Sequence, residues 1–116
     1  MIAEDELIVA RVMKRALEQS GFEVIQVSDE TNAILASSEF CPDLVILDIH
    51  LKNKSCGIHT GEEIRRRGIK CPIIFTTGNS YEQTKEQIKE IENCHLFIKP
   101  IDTDSIVRYI HGNFSS

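Results

Sequence analysis

The sequence has 116 residues, of which 41% are hydrophobic and 27% are charged, and this size and composition are typical of one globular domain. Its 13 Lys and Arg against 18 Asp and Glu give a formal net charge of −5, which argues against direct binding to nucleic acid or to an anionic membrane surface. No apolar run reaches the ~18 residues that a membrane span needs, and the N-terminus is acidic where a signal peptide is basic, so we expect a cytoplasmic protein.

Short apolar runs alternate with amphipathic stretches along the whole chain. The apolar runs predict five strands, at Met1–Ala3, Phe22–Val27, Leu44–Leu47, Ile73–Thr76 and Leu96–Ile98. The amphipathic stretches predict five helices, over about Leu7–Ser20, Glu30–Glu39 and Ile58–Arg67, then after Asn79 or Ser80, and finally after Asp102 or Thr103. In the fourth helix we expect one narrow apolar stripe, formed by Tyr81, Thr84, Ile88 and Ile91.

This (βα)5 order predicts an α/β fold of the doubly wound, flavodoxin-like type. We expect one domain over residues 1–116, with a five-stranded parallel sheet of order 2-1-3-4-5 and helices on both faces. Such a sheet has its switch point between the first and third strands. A ligand should therefore bind beyond the carboxyl ends of those strands.

Charged and polar residues follow four of the predicted strands. Glu4 and Asp5 follow the first, Asp48 the third, Thr77 the fourth and Lys99 the fifth. Clustered carboxylates repel one another unless a cation is present, and a hard divalent ion prefers oxygen ligands. The pattern predicts a Mg²⁺ site beside a nucleophile and donors for a phosphoryl group.

Four segments of the chain carry a family resemblance. Ala3–Glu6, Cys41–Leu51, Pro72–Gly78 and Phe97–Asp102 resemble the receiver domain of two-component response regulators, of the chemotaxis-regulator type, and the similarity covers essentially the whole chain. The resemblance implies a phosphorylatable switch that acts on itself, and not an enzyme that acts on a released substrate.

The resemblance also assigns the central roles. It implies that Asp48 accepts a phosphoryl group from a histidine kinase or a histidine phosphotransfer protein. It implies that Mg²⁺ is held by Glu4, Asp5, Asp48 and the backbone carbonyl of His50.

Three further roles follow from the same resemblance. Thr77 and Lys99 are expected to bind phosphoryl oxygens, and the Lys99–Pro100 peptide bond is expected to be cis. His50 and Asn79 are expected to line the path of the hydrolytic water.

The readout of the switch departs from the family's pattern. Leu96 stands where the family commonly has an inward-turning Tyr or Phe, so an aromatic rotamer switch should contribute little here. Phe97 should point to the opposite face of the strand, and Tyr81 is the nearest aromatic residue on the fourth helix. We expect an output domain or target protein to bind the fourth helix, fifth strand and fifth helix, including His95 and Tyr109, and a homodimer on phosphorylation is left open.

Other departures are local. The first strand is short, which suggests an earlier natural start, and the loop after Asp48 is longer than usual and lacks its Pro. Gly61 interrupts the third helix at a cost of up to ~1 kcal/mol. The basic run Arg65–Arg67 is interpreted as complementing the helix dipole rather than as a nucleic-acid patch.

Three alternatives remain. A phosphatase of the haloacid dehalogenase type also uses an Asp nucleophile with Mg²⁺, but it requires a second Asp where His50 stands. A flavin module would share the fold, but Glu4 and Asp5 would repel its phosphate. The third alternative is a zinc site built from Cys56, His59 and either His50 or His95, which lacks a fourth ligand. The four cysteines are widely scattered and form no CxxC motif, so they are interpreted as reduced thiols.

Overall fold

The computed structural model describes residues 1–4, 6–50, 56–78 and 81–114, and for residues 81–83, 113 and 114 it describes the backbone alone. The strands are β1 (Ile2–Ala3), β2 (Gln26–Val27), β3 (Val45–Asp48), β4 (Ile73–Thr77) and β5 (Cys94–Ile98). The helices are α1 (Leu7–Gln19), α2 (Glu30–Phe40), α3 (Gly57–Arg66), α4 (Tyr81–Ile88) and α5 (Thr103–Phe114).

The strands form one parallel sheet in the order β2-β1-β3-β4-β5, which confirms the predicted topology. In the register of this sheet Asp48 lies opposite Thr76, and Thr77 lies opposite Ile98. The carboxyl ends of β3, β4 and β5 therefore meet at one edge, which is where the polar residues follow the strands.

Side chains alternate across the sheet and build a core on each face. Val45, Leu47 and Phe75 point to the face covered by α2, α3 and α4. Ile46 and Ile74 point to the face covered by α1 and α5. Because a side chain changes face at every residue, the continuous apolar runs in β3 and β4 fill both cores at once.

Local sequence signals set several helix ends. The Asp29 carboxylate accepts a hydrogen bond from the Asn32 N–H at 2.8 Å and so caps the start of α2. Gly21 follows α1 with φ of +96°, a conformation that only glycine adopts without strain.

Two predicted elements are shorter than expected. The predicted strand Phe22–Val27 forms ladder pairs only at Gln26–Val27, because β1 offers it only two residues. The fourth helix ends at Ile88, so Ile91 lies outside it. Ile91 is still buried, since a tight turn in which its N–H donates to the Ile88 carbonyl returns it to the core.

The glycine inside the third helix has a packing reason. A Cβ at Gly61 would lie 2.7 Å from Cζ of Phe75, whose ring is fully buried in β4. A larger residue at this position would have to push α3 away from the sheet. The loss of helix propensity at Gly61 is therefore offset by closer packing of α3 against β4.

Candidate functional site

The predicted convergence of polar groups is confirmed for three side chains from distant parts of the chain. Lys99 follows β5, and its Nζ lies 3.0 Å from Oδ2 of Asp48, the last residue of β3. The same Nζ lies 3.3 Å from Oε2 of Glu4, which follows β1. One ammonium group thus bridges two carboxylates that belong to different strands.

Asp48 is held rigidly at the end of β3. Its side chain is buried, and its Oδ1 accepts a hydrogen bond of 3.0 Å from the His50 N–H. The next residue, Ile49, donates its N–H to the Thr76 carbonyl at 2.9 Å, which continues the ladder with β4. With Oδ1 bound to the main chain and Oδ2 to Lys99, the orientation of the carboxylate is fixed.

Glu4 is a buried carboxylate with incomplete hydrogen bonding. Its Oε1 accepts a hydrogen bond of 3.1 Å from the Glu6 N–H, but its buried Oε2 accepts none from the described residues. Burial raises the pKa of Glu4, and the neighbouring Asp48 carboxylate raises it further, to about 7. Ionised Glu4 is therefore costly unless additional positive charge lies nearby.

The carboxylates also raise the pKa of Lys99, and for an ammonium group this favours the charged form. Burial alone would lower the pKa of this ammonium, but the hydrogen bond and charge of Asp48, together with the charge of Glu4, outweigh burial and raise it. Lys99 is therefore charged throughout the physiological pH range. It provides a fixed cation beside the Asp48 carboxylate.

Thr77 ends β4 beside Lys99. Its side chain is fully buried, and its carbonyl accepts a hydrogen bond of 2.7 Å from the Lys99 N–H. The Lys99–Pro100 bond is cis, as the resemblance implied. The main chain thus couples Thr77 and Lys99 directly.

Two residues near the site were missed by the sequence interpretation. Oε1 of Glu6 lies 3.6 Å from Lys99 Nζ, although Glu6 adjoins the acidic pair and could have been considered with it. At Gly57, a Cβ would overlap the backbone carbonyl of Asp48, and the Gly57 N–H donates to the Ile49 carbonyl at 2.6 Å. No local pattern predicts such a close approach, because the two residues are nine positions apart in the sequence.

Other predicted residues have varied outcomes. Asp5 and Asn79 lie outside the described residues, as does the side chain of Tyr81. Leu96 is buried in the core beneath α2, α3 and α4, whereas Phe97 packs on the opposite face, as predicted. His50 is exposed, and its backbone N–H donates a hydrogen bond to Asp48 Oδ1.

The basic run Arg65–Arg67 at the end of α3 is mostly engaged within the protein. The Arg65 guanidinium donates to the carbonyls of Ile69, Cys71, Glu92 and Asn93 at 2.7 to 3.2 Å. Arg66 and Arg67 both pair with Glu63. These contacts agree with the interpretation that the basic run serves the structure and is not a nucleic-acid patch. Arg65 binds the segments that precede β4 and β5, so its role is larger than an effect on the helix dipole.

The cysteines are free thiols, as predicted, at Cys41, Cys56, Cys71 and Cys94. Within the described ranges, no group of three or more His, Cys, Asp or Glu side chains is arranged to hold a metal ion. The described residues therefore give no support for the zinc site considered from the sequence. The predicted Mg²⁺ set includes Asp5, which those ranges leave out.

Comparison with known proteins agrees with this geometry. The family model for the response regulator receiver domain matches residues 1–111. PhoP of Bacillus subtilis, an alkaline phosphatase synthesis transcriptional regulatory protein, is 31% identical over 86% of the chain, and the aerobic respiration control protein ArcA of Escherichia coli is 30% identical over 88%. The chain spans only 41% of PhoP and 42% of ArcA.

Solved structures show the same fold. The receiver domain of NtrX from Brucella abortus superimposes with a TM-score of 0.88 at 21% identity, covering 99% of this chain and 97% of that one. The receiver domain of a modulated diguanylate cyclase from Desulfovibrio desulfuricans gives a TM-score of 0.82 at 27% identity, covering 96% and 88%. Among the described helices, none is long and apolar enough to span a membrane.

The haloacid dehalogenase alternative is not supported. The position two residues after Asp48 holds His50, whose N–H binds the Asp48 carboxylate, and no second aspartate stands there. The family match and the relatives also point to response regulators.

Proposed function

Because the chain belongs to the receiver domain family of two-component response regulators, we propose that Asp48 is its phosphoacceptor. The main support is the 3.0 Å contact between Asp48 Oδ2 and Lys99 Nζ at the carboxyl end of a central strand. Response regulators receive phosphoryl groups from histidine kinases and act on output partners. Here we propose a histidine kinase or a histidine phosphotransfer protein as donor, and residues 1–116 as one receiver unit.

In the proposed reaction a carboxylate oxygen of Asp48 forms a bond to phosphorus while the phosphorus–nitrogen bond of the donor histidine breaks. The bonding electrons return to the imidazole nitrogen, and the product is an acyl phosphate. Lys99 offsets charge on the phosphoryl oxygens, and Thr77 donates its hydroxyl to one of them. Rigid placement of the Asp48 nucleophile also accelerates the reaction, since phosphoryl transfer depends chiefly on positioning and electrostatics.

The residues present fit Mg²⁺. Glu4 carries a buried carboxylate oxygen without a hydrogen bond and a pKa raised to about 7, so a cation beside it would relieve an unfavourable charge. We propose that Glu4, Asp5, Asp48 and the backbone carbonyl of His50 hold the ion. When bound, Mg²⁺ supplies positive charge that offsets the phosphoryl oxygens.

As a switch, the domain would modify only itself, through phosphorylation and autodephosphorylation. We propose that His50 and Asn79 set the lifetime of the acyl phosphate. The Lys99 N–H to Thr77 carbonyl bond supports coupling of the site to the end of β5. The proposed docking surface comprises α4, β5 and α5 and includes Tyr81 and Tyr109, while Leu96 takes little part. A cytoplasmic location and dimerisation on phosphorylation belong to the same proposal.

Phosphorylation with a small phosphodonor, followed by intact mass, tests the phosphoacceptor. We expect one added phosphoryl group in the presence of Mg²⁺ and none in Asp48→Asn. Asp43→Asn is the matched control, since it removes an exposed carboxylate just before the same strand and should leave labelling unchanged. Labelling of Asp48→Asn, or Mg²⁺-independent labelling of the wild type, would contradict the proposal.

Amide hydrogen exchange with and without a phosphoryl mimic tests the readout. We expect changed protection from Thr77 to Ile91 and in β5. Changes restricted to the loop after Asp48 would show that the proposed docking surface is wrong.

A further inference from the structure

Lys99 has a third acidic neighbour that differs from the other two. Glu4 and Asp48 are almost completely buried, whereas the Glu6 side chain is 62% exposed. The contact from Glu6 Oε1 to Nζ is 3.6 Å, longer than the two buried contacts. The ammonium therefore has a solvent-facing partner in addition to its two buried ones.

We propose that Glu6 is a positioning residue that competes with an incoming phosphoryl group for the Lys99 ammonium and thereby slows phosphorylation of Asp48. This inference rests on the proposed phosphoacceptor function. An ammonium group has three N–H donors, and Glu6 Oε1 at 3.6 Å competes with an incoming phosphoryl oxygen for the charge of Nζ. Each partner that Lys99 must release opposes the approach of an anionic phosphodonor.

Glu6 is suited to this role because its main chain is fixed while its side chain is exposed. Its N–H donates to Glu4 Oε1 at 3.1 Å, and its carbonyl accepts the Ala10 N–H at 2.9 Å in the first turn of α1. Although Glu6 is the N-cap residue of α1, its side chain makes no capping hydrogen bond. The carboxylate contacts Lys99 instead of the helix end.

Three variants distinguish a direct contact between Glu6 and Lys99 from a general effect of negative charge. Glu6→Gln removes the charge, and Glu6→Asp keeps the charge but shortens the side chain by one methylene, which should lengthen the 3.6 Å contact with Nζ. Asp is also a preferred N-cap residue, so this variant should not weaken α1. Glu18→Gln is the control, because it removes an exposed charge near the other end of the same helix.

Rates of phosphorylation by acetyl phosphate are measured by intact mass at saturating Mg²⁺, with saturation checked for each variant. We expect Glu6→Gln and Glu6→Asp each to react about threefold faster than wild type, as loss of one exposed ion pair allows. Glu18→Gln should match wild type. The difference should shrink at 1 M salt, where charges separated by more than ~3 Å are screened.

An unchanged rate in Glu6→Gln would overturn the inference. So would a wild-type rate in Glu6→Asp combined with a faster Glu6→Gln, because that result assigns the effect to charge alone. Side-chain ¹³C relaxation of Lys99 Cε gives a readout independent of phosphorylation, and both variants should lower its order parameter. If wild type is not phosphorylated, the proposed function fails, while the relaxation measurement still decides whether Glu6 restrains Lys99.

Discussion

Neighbouring strands β4 and β5 differ sharply in their surroundings. All five residues of β4 are buried, whereas only the central residue of β5, Leu96, is buried. β4 lies between β3 and β5, and β5 is at the edge of the sheet. Both strands end at the site, with Thr77 on the buried strand and Lys99 just beyond the edge strand. The site thus combines a fixed side with one that reaches the surface.

The phenylalanine in β4 and the one in β5 show the same contrast. Phe75 is fully buried in β4 and fits against Gly61. Phe97 in β5 lies half-buried in an aromatic cluster with His95 and Tyr109. We infer that the central strand contributes more to stability than the edge strand.

The test with the largest expected effect removes the aromatic ring of Phe75 in one variant and that of Phe97 in another. Phe75→Ala should lower the free energy of unfolding by about 3–5 kcal/mol, because it leaves a cavity that the surroundings cannot fill. Phe97→Ala should cost less than half as much, since solvent and neighbouring rings can fill the space. Urea denaturation of both variants measures the difference, and equal losses would contradict the division between centre and edge.

The second test adds a methyl group. Gly61→Ala should destabilise the protein by about 1–3 kcal/mol, because the new Cβ meets the Phe75 ring. A Cβ at Gly112 in α5 would meet no described atom within 4 Å beyond its chain neighbours and its own helix backbone, so Gly112→Ala should instead stabilise the protein by up to ~1 kcal/mol through helix propensity. Opposite shifts in Tm are expected, and shifts of the same sign would show that α3 can move away from β4.

The third test measures the pH dependence of stability that arises from Glu4, the buried carboxylate after β1. Glu4 has a pKa raised to about 7 in the folded chain, against an ordinary value of 4.5, so the folded state binds its proton more tightly. Stability should therefore fall as pH rises from about 4.5 to about 7, by about 2 kcal/mol. Lys99 does not contribute in this window, because its pKa is raised above 10.5.

Glu4→Gln should remove this dependence. Its free energy of unfolding, measured by urea titration in buffer with a chelator at pH 5 and pH 8, should exceed that of wild type at the higher pH. Parallel pH profiles for the two proteins would show that Glu4 is already ionised at pH 5 in the folded chain.

The smallest test concerns how the edge strand is attached. Arg65 in α3 binds the carbonyls of Glu92 and Asn93, which directly precede β5. Arg65→Lys should cost about 1 kcal/mol and raise amide exchange at the start of β5, since a lysine cannot reach all these carbonyls. Arg66→Lys, at an exposed pair with Glu63, should change stability by less than ~0.5 kcal/mol. Similar effects would indicate that the Arg65 contacts are not specific.

The contrast between centre and edge also explains what could be predicted from the sequence. The central strands β3 and β4 were predicted to within one residue, because continuous apolar runs are the signature of strands buried on both faces. Glu4, Asp48 and Lys99 could be grouped because parallel strands bring their carboxyl ends together.

Features that depend on packing in space were not predictable in this way. The length of β2 depends on how many residues β1 offers as partners, and no property of Phe22–Val27 encodes that number. The approach of Gly57 to the Asp48 carbonyl and the Arg65 contacts join segments distant in sequence. The predicted roles of Asp5 and Asn79 remain predictions.

The aromatic cluster on β5 also makes the molecule convenient for spectroscopy. The sequence contains no Trp and two Tyr, and the Tyr109 ring stacks on His95 at a centroid distance of 4.4 Å while meeting Phe97 edge to face. In a Tyr81→Phe background, Tyr109 would be the single source of tyrosine fluorescence. Its emission and near-ultraviolet circular dichroism would then report the packing of α5 against the edge strand without an added label.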